Sequence, residues 1–136
     1  EVVRQTTGAE PASINRILGP EEILKFQNLV LRVPISDPLV AKAVQLVRQT
    51  RPGPDNSSEE IQQYVSYGAG PRAAQHLVLA SKARAILNGR PAVDIEDLRA
   101  LAKPVLRHRI ITNFNAEARK VSADQLVDNL LHNLTL

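Results

Sequence analysis

The 136-residue chain has no cysteine, methionine or tryptophan, and only two tyrosines and two phenylalanines. Without cysteine it can form no disulfide, thiolate nucleophile or cysteine-ligated metal site. With so few aromatics the core must be aliphatic, built from Leu, Val, Ile and Ala. No apolar run reaches membrane-spanning length and no signal peptide is visible, so a soluble cytoplasmic protein is expected. Methionine is missing even at position 1, and the chain is expected to be a piece of a longer protein. Enzyme signatures are missing too. His76, His108 and His132 lie far apart and form no helical ligand pair, so no metal site is expected. No serine sits in a nucleophile elbow. There is no phosphate-cradling G-x-x-x-x-G-K-[ST] loop, so by that mechanism the chain cannot hydrolyse a nucleotide alone.

What is present is the composition of a globular domain, 43% hydrophobic and 23% charged. The length suits one domain with a real core and is too short for two ordinary ones. The net charge of +3 is unevenly spread, with eight Lys or Arg against three Asp or Glu between Arg72 and Arg109. A basic half suggests an anionic partner, nucleotide phosphate or nucleic acid, unless these charges are only solvated helix faces.

Start and stop signals divide the chain into helices. Residues 1–5 read as a helix end and residues 6–19 as an extended connector. Pro20 opens a helix at its first position, with Glu21 and Glu22 in the first turn and Ile23, Phe26, Val30 and Val33 as its apolar stripe. Asp37-Pro38 reads as a cap followed by an N1 proline, with Val40, Ala43, Val44 and Val47 behind it. After the 51–58 loop, Ser57 and Glu60 match a capping box for a short helix that stops near Gly68. From Pro71 to about Asn88, small or apolar side chains occupy most sides, so that helix is expected to be enclosed by neighbours. Asn88-Gly89 ends it as a left-handed cap.

Asp94 caps the next helix, with Asp97 at the box position, and capping accounts for Asp94, Glu96 and Asp97 together. Pro104 predicts a kink or restart within it. Residues 110–120 read as irregular or briefly extended. Ser122 and Gln125 box the last helix. There are no repeats and no strand alternation of useful length. The fold class expected is all-α, a bundle of about six helices with an extended N-terminal linker.

One residue in this scheme raises a question. With Gly70 as cap and Pro71 at N1, Arg72 falls in the first turn, where a cation opposes the helix dipole at a cost of about 0.3–1 kcal/mol. The unpaired N–H groups there attract anions, and a planar guanidinium beside them suits phosphate oxygens. The alternative is an ordinary exposed arginine after a Gly-Pro turn.

The stretch "YVSYGAGPRAAQHLVLASKARAILNGRPAVDIEDLRALAKPVLRHRI" resembles the C-terminal lid of the MoxR family of AAA+ ATPases. The likeness continues upstream through "ILGPEEILKFQNLVLRVPISDPLVAKAVQLVRQTRPG" and covers roughly residues 17–112. It implies that residues 1–19 are the end of an ATPase core domain and its linker, and that 20–136 are the lid. In that family the G-x-x-P-R-A stretch carries the second sensor arginine, which corresponds to Arg72, with Gly68, Gly70 and Pro71 as the supporting turn. Many relatives have serine where Gly70 stands. Arg107, His108 and Arg109 match the family pattern without an assigned job.

The resemblance further implies ATP and Mg²⁺ in the intact parent, with none held by this fragment, whose Walker motifs are absent. The implied partners are its own ATPase core, neighbouring subunits of a ring (a hexamer is expected) and von Willebrand factor A-type proteins in chaperone-like remodelling. Two other readings remain: a helical nucleic-acid-binding module using the basic 72–109 region, and a protein-interaction bundle indifferent to nucleotide. Nucleic acid is disfavoured by the shortage of aromatics for stacking and the lack of a recognition-helix motif. Arg84, on the same basic stretch, would serve as a control for Arg72.

Overall fold

The computed structural model describes residues 3, 7, 15–53 and 57–134. The helix end expected over 1–5 and most of the expected linker lie outside the described residues. The observed order is α1 (Pro20–Arg32), α2 (Asp37–Gln49), α3 (Glu59–Tyr64), β1 (Val65–Tyr67), α4 (Pro71–Leu87), α5 (Ile95–Leu106), β2 (Ile111–Thr112), α6 (Phe114–Arg119) and α7 (Ala123–His132). The fold is a helical bundle, as expected, with seven helices among the described residues. None of them is long and apolar enough to cross a membrane.

Two elements were not read from the sequence. The α3 helix stops at Tyr64 rather than near Gly68, and Val65–Tyr67 pairs antiparallel with Ile111–Thr112, interrupted by an irregularity. The residues after β2 are helical because Asn113 caps them. Its Oδ1 accepts from Ala116 N–H at 3.1 Å while its Nδ2 donates to Gln63 O at 2.8 Å.

Capping decides most helix boundaries. The Asp94–Asp97 and Ser122–Gln125 boxes form as expected. At the end of α4, Gly89 (φ 68°) donates to Ile86 O at 2.8 Å and Arg90 donates to Ala85 O at 2.9 Å, the paired bonds of a Schellman cap. Other caps shift by one residue. Ser36, not Asp37, precedes α2, and Ser58, not Ser57, accepts from Ile61 N–H at the start of α3. Ser57 instead bridges the Gly53 backbone. At Pro104 α5 does not restart but runs on to Leu106. The proline forfeits a single helical donor, and Val105 and Leu106, both buried, hold the last turn in the core.

The core is aliphatic, with Leu46, Ile61, Leu77, Leu98, Leu106, Leu126 and Leu134 fully buried. Tyr64 is the aromatic among the buried hydrophobics. The long helix α4 is central and packs on α1, α2 and α5. It is only partly enclosed: Ala73, Leu77, Ser81 and Ala85 form one buried stripe, while Leu79 and Leu87 face out. The stripe of α2 is also rotated from the expected one, burying Leu39 and Leu46 and exposing Val44. In α1 the expected stripe does not go inside. No residue of that helix is buried, and only Val33, just past its end, joins the core.

Candidate functional site

The turn before α4 is held by the end of α2. Thr50, fully buried, donates from Oγ1 to Val47 O at 2.7 Å and accepts from Ala69 N–H at 2.9 Å. Arg51 Nε donates to Ala69 O at 2.7 Å. Both polar groups of the Ala69 backbone are therefore satisfied by one neighbouring helix end. This closeness needs Gly68, since a Cβ there would stand 2.3 Å from Thr50 O and 2.6 Å from Arg51 Cα. No real side chain fits such a gap.

Gly70 has a different job. It is the N-cap of α4 with an ordinary extended backbone (φ −83°), and a Cβ there would meet nothing within 4 Å. Pro71 takes the first helical position, as expected. Arg72 follows in the first turn, exposed to solvent, and its guanidinium has no hydrogen-bond or ion-pair partner among the described residues. The chain thus fixes the backbone that carries Arg72 and leaves the side chain's charge unspent.

Most of the surrounding positive charge is spent internally. Five of the eight cations between Arg72 and Arg109 sit in ion pairs: Arg84 and Arg90 with Asp97, Arg99 with Glu96, Lys103 with Asp128, and Arg107 with Asp124. Lys82 donates to Leu31 O at 3.2 Å. Among the described residues, only Arg72, Lys82 and Arg109 of the eight lack a carboxylate partner. Basic composition therefore overstated the free charge of this half.

Asp97 corrects the reading that capping alone explains the 94–97 cluster. Its Oδ2 does accept from Asp94 N–H at 2.9 Å, but the carboxylate is fully buried. Arg90 grips it with two nitrogens, at 2.7 and 2.5 Å, and Arg84 adds a third contact at 2.6 Å. Hydrogen bonding from Arg90 is the main reason its pKa falls from 3.8 to about 2, against the opposing effect of burial. The cluster ties the end of α4 to the start of α5. Arg84 is therefore a structural cation and no control for Arg72.

The remaining sequence candidates separate. Arg107 is exposed and paired with Asp124. His108 and Arg109 line a groove of about 690 Å³ between α1, α4 and α5, together with His76 from α4. His132 is elsewhere, its Nδ1 2.8 Å from Asp128 O. Among the described residues no three metal-ligating side chains gather. The groove joins His76 and His108, which sequence distance had kept apart. Only the helical spacing of α4 and the turn after α5 hinted at it.

Comparison with known proteins matches residues 57–130 to the family model described as "AAA lid domain". The chain is similar to "Chaperone MoxR1" of Mycobacterium tuberculosis, 26% identical over 129 residues, covering 95% of this chain and 34% of that protein. It is 47% identical over 53 residues to "Protein MoxR" of Paracoccus denitrificans, covering 39% of this chain and 16% of the relative. A solved structure of a candidate ATPase from Cytophaga hutchinsonii superposes with a TM-score of 0.87 at 32% identity, covering 98% of this chain and 41% of that one. The chain thus spans about a third or less of these two relatives and two-fifths of the solved chain.

Proposed function

The chain belongs to the AAA lid domain family, as a lid of the MoxR type of AAA+ ATPase, and from that premise we propose that Arg72 is its nucleotide-sensing cation. The observation that carries this reading is the pairing of a rigid backbone with an unspent charge. The Gly68–Gly70 turn is clamped to α2, and Arg72 projects from it without a partner among the described residues. Its chemistry fits a phosphate: a planar fork of N–H donors, permanently charged, at the positive end of a helix dipole.

In the parent, ATP with Mg²⁺ supplies the phosphoryl group whose cleavage drives the cycle. The lid's part is to read the state of that group. Arg72 donates to terminal phosphate oxygens held by an ATPase core, and the clamped turn passes that pull to α4. Because α4 packs on α1, α2 and α5, the lid moves as one body. Loss of the terminal phosphate removes the contact and frees the lid, a phosphate-dependent switch. On this reading the parent is a cytoplasmic ring, expected to be hexameric, with chaperone-like remodelling activity and von Willebrand factor A-type partners. The core that Arg72 addresses belongs to its own subunit or a neighbouring one.

The test uses the intact parent ATPase. Arg72→Ala removes one charge-assisted contact, and ATP turnover is expected to fall by roughly tenfold or more. The lid's melting temperature should stay unchanged. Arg72→Lys restores part of the activity, because an ammonium keeps the charge but loses the fork. Arg119→Ala on α6 is the control, since Arg119 is exposed and unpaired among the described residues. Wild-type turnover in Arg72→Ala, or equal damage from Arg119→Ala, overturns the assignment.

A further inference from the structure

The groove between α1, α4 and α5 has a composition that Arg72 does not explain. Val30, Leu31, Leu79, Ala80, Ala83 and Val105 give it an apolar floor, and no carboxylate lines it. Arg109 stands at its edge in a fixed pose, Nη1 donating to Val105 O at 2.5 Å and Nη2 to His76 Nδ1 at 2.8 Å. One acceptor is a backbone carbonyl and the other an imidazole nitrogen, and Arg109 has no ion-pair partner among the described residues. A guanidinium held in place with donors to spare and no counter-ion is preorganised for a carboxylate.

The apolar surface does not end at the groove. Glu21, Lys25, Asn28 and Arg32 share one narrow side of α1, and apart from Glu22 and Gln27 the rest of its surface is apolar. Leu24 and Leu31, 57% and 60% exposed, continue the face that Gln27 turns towards the groove, and Leu79 of α4 is 44% exposed. A small molecule confined to the groove would leave this arc uncovered. An extended peptide would bring unpaired backbone groups onto an apolar floor, a costly arrangement. A helix satisfies its own backbone and lays only side chains into an interhelical groove.

We propose that this groove is a docking site for an amphipathic helix of a protein partner, seated by apolar side chains and anchored by an acidic side chain on Arg109. The charge complementarity is specific. The lining carries the Arg109 guanidinium and no carboxylate, so an acidic helix is accepted and a basic one repelled. Arg72 lies one turn before His76 on α4 but is not among the lining residues, and the proposal does not depend on the nucleotide reading.

The test is fluorescence anisotropy with this 136-residue chain and two labelled helical peptides. Both carry Leu at i, i+3 and i+7. One has Glu on the flanking positions and the other has Lys. The Glu peptide is expected to bind, more weakly as salt rises, and the Lys peptide to fail. Arg109→Gln should weaken the Glu peptide roughly tenfold. Leu79→Asp should abolish binding with the far-UV circular dichroism spectrum unchanged, and Arg72→Ala, outside the lining, should weaken binding far less than Arg109→Gln.

Equal binding of both peptides, or of the Glu peptide to wild type and Arg109→Gln, overturns the proposal, as does no binding at all. Self-association of the wild-type chain in sedimentation that Leu79→Asp abolishes would assign the face to a second copy and also overturn it. Loss of parent ATP turnover in Arg109→Gln without peptide binding would assign it to the ATPase portion instead.

Discussion

Replacing Gly68 by alanine tests whether the clamp on α2 organises the Arg72 turn. The new methyl would lie 2.3 Å from Thr50 O, 2.5 Å from Thr50 C and 2.6 Å from Arg51 Cα, all backbone atoms. Non-bonded carbons settle at about 3.5–4.0 Å, so the two backbones must part by on the order of 1 Å. That movement stretches the 2.9 Å bond from Ala69 N–H to Thr50 Oγ1 and the 2.7 Å bond from Arg51 to Ala69 O beyond useful reach. Overpacking costs about 1–3 kcal/mol, and a buried Ala69 N–H left without its partner about 1–3 kcal/mol more. The stiffer unfolded chain returns only about 0.4–1 kcal/mol. These terms together span a loss of about 1–5 kcal/mol, centred on about 3, which is on the order of 10 °C in Tm for a domain this size.

Gly70→Ala is the paired control. With open space at its Cβ position and an ordinary φ, it trades a modest N-cap preference against the same unfolded-state gain, and should stay within about 0.5 kcal/mol of wild type. Urea unfolding followed by far-UV circular dichroism measures both. A Gly68→Ala chain as stable as wild type, or a Gly70→Ala chain equally damaged, would refute the clamp. In the parent ATPase, Gly68→Ala should also lower turnover with Arg72 itself intact.

Asp97 sets the acid limb of stability. Its folded pKa of about 2 lies below the usual 3.8, so its contribution is fully present above about pH 4 and is lost as pH falls towards 2. The amount is roughly 2 kcal/mol. Asp97→Asn should therefore be less stable than wild type near neutrality, with the gap closing on acidification; urea midpoints that keep a constant gap down that range would sink the assignment. Lys120, at φ 56° after α6, holds a left-handed cap that glycine adopts without strain. Lys120→Gly should raise stability by up to about 1 kcal/mol in thermal melts, and a lower Tm would show that the lysine side chain contributes a contact of its own.

Much of the helical layout was legible because capping is a local matter. Gly70-Pro71, Asp94 with Asp97, Asn88-Gly89 and Ser122 with Gln125 act through atoms within a turn of one another, so spacing along the chain is enough to read them. The α6 helix was equally readable from Asn113 and was hidden by the apolar residues before it. Arg72 was placed in its first turn by the same local signals, and its family resemblance came from segment order. Tertiary structure decided the rest, because those choices depend on residues far apart in sequence. Gly68 matters because Thr50 lies against it, and Asp97 became a buried anion because Arg84 and Arg90 converge on it. Four of the eight neighbouring cations, Arg84, Arg90, Lys103 and Arg107, are neutralised by acids that no spacing rule would pair with them. Local hydrogen bonds are set by a few successive dihedrals, but which charges remain free is settled only when the helices pack.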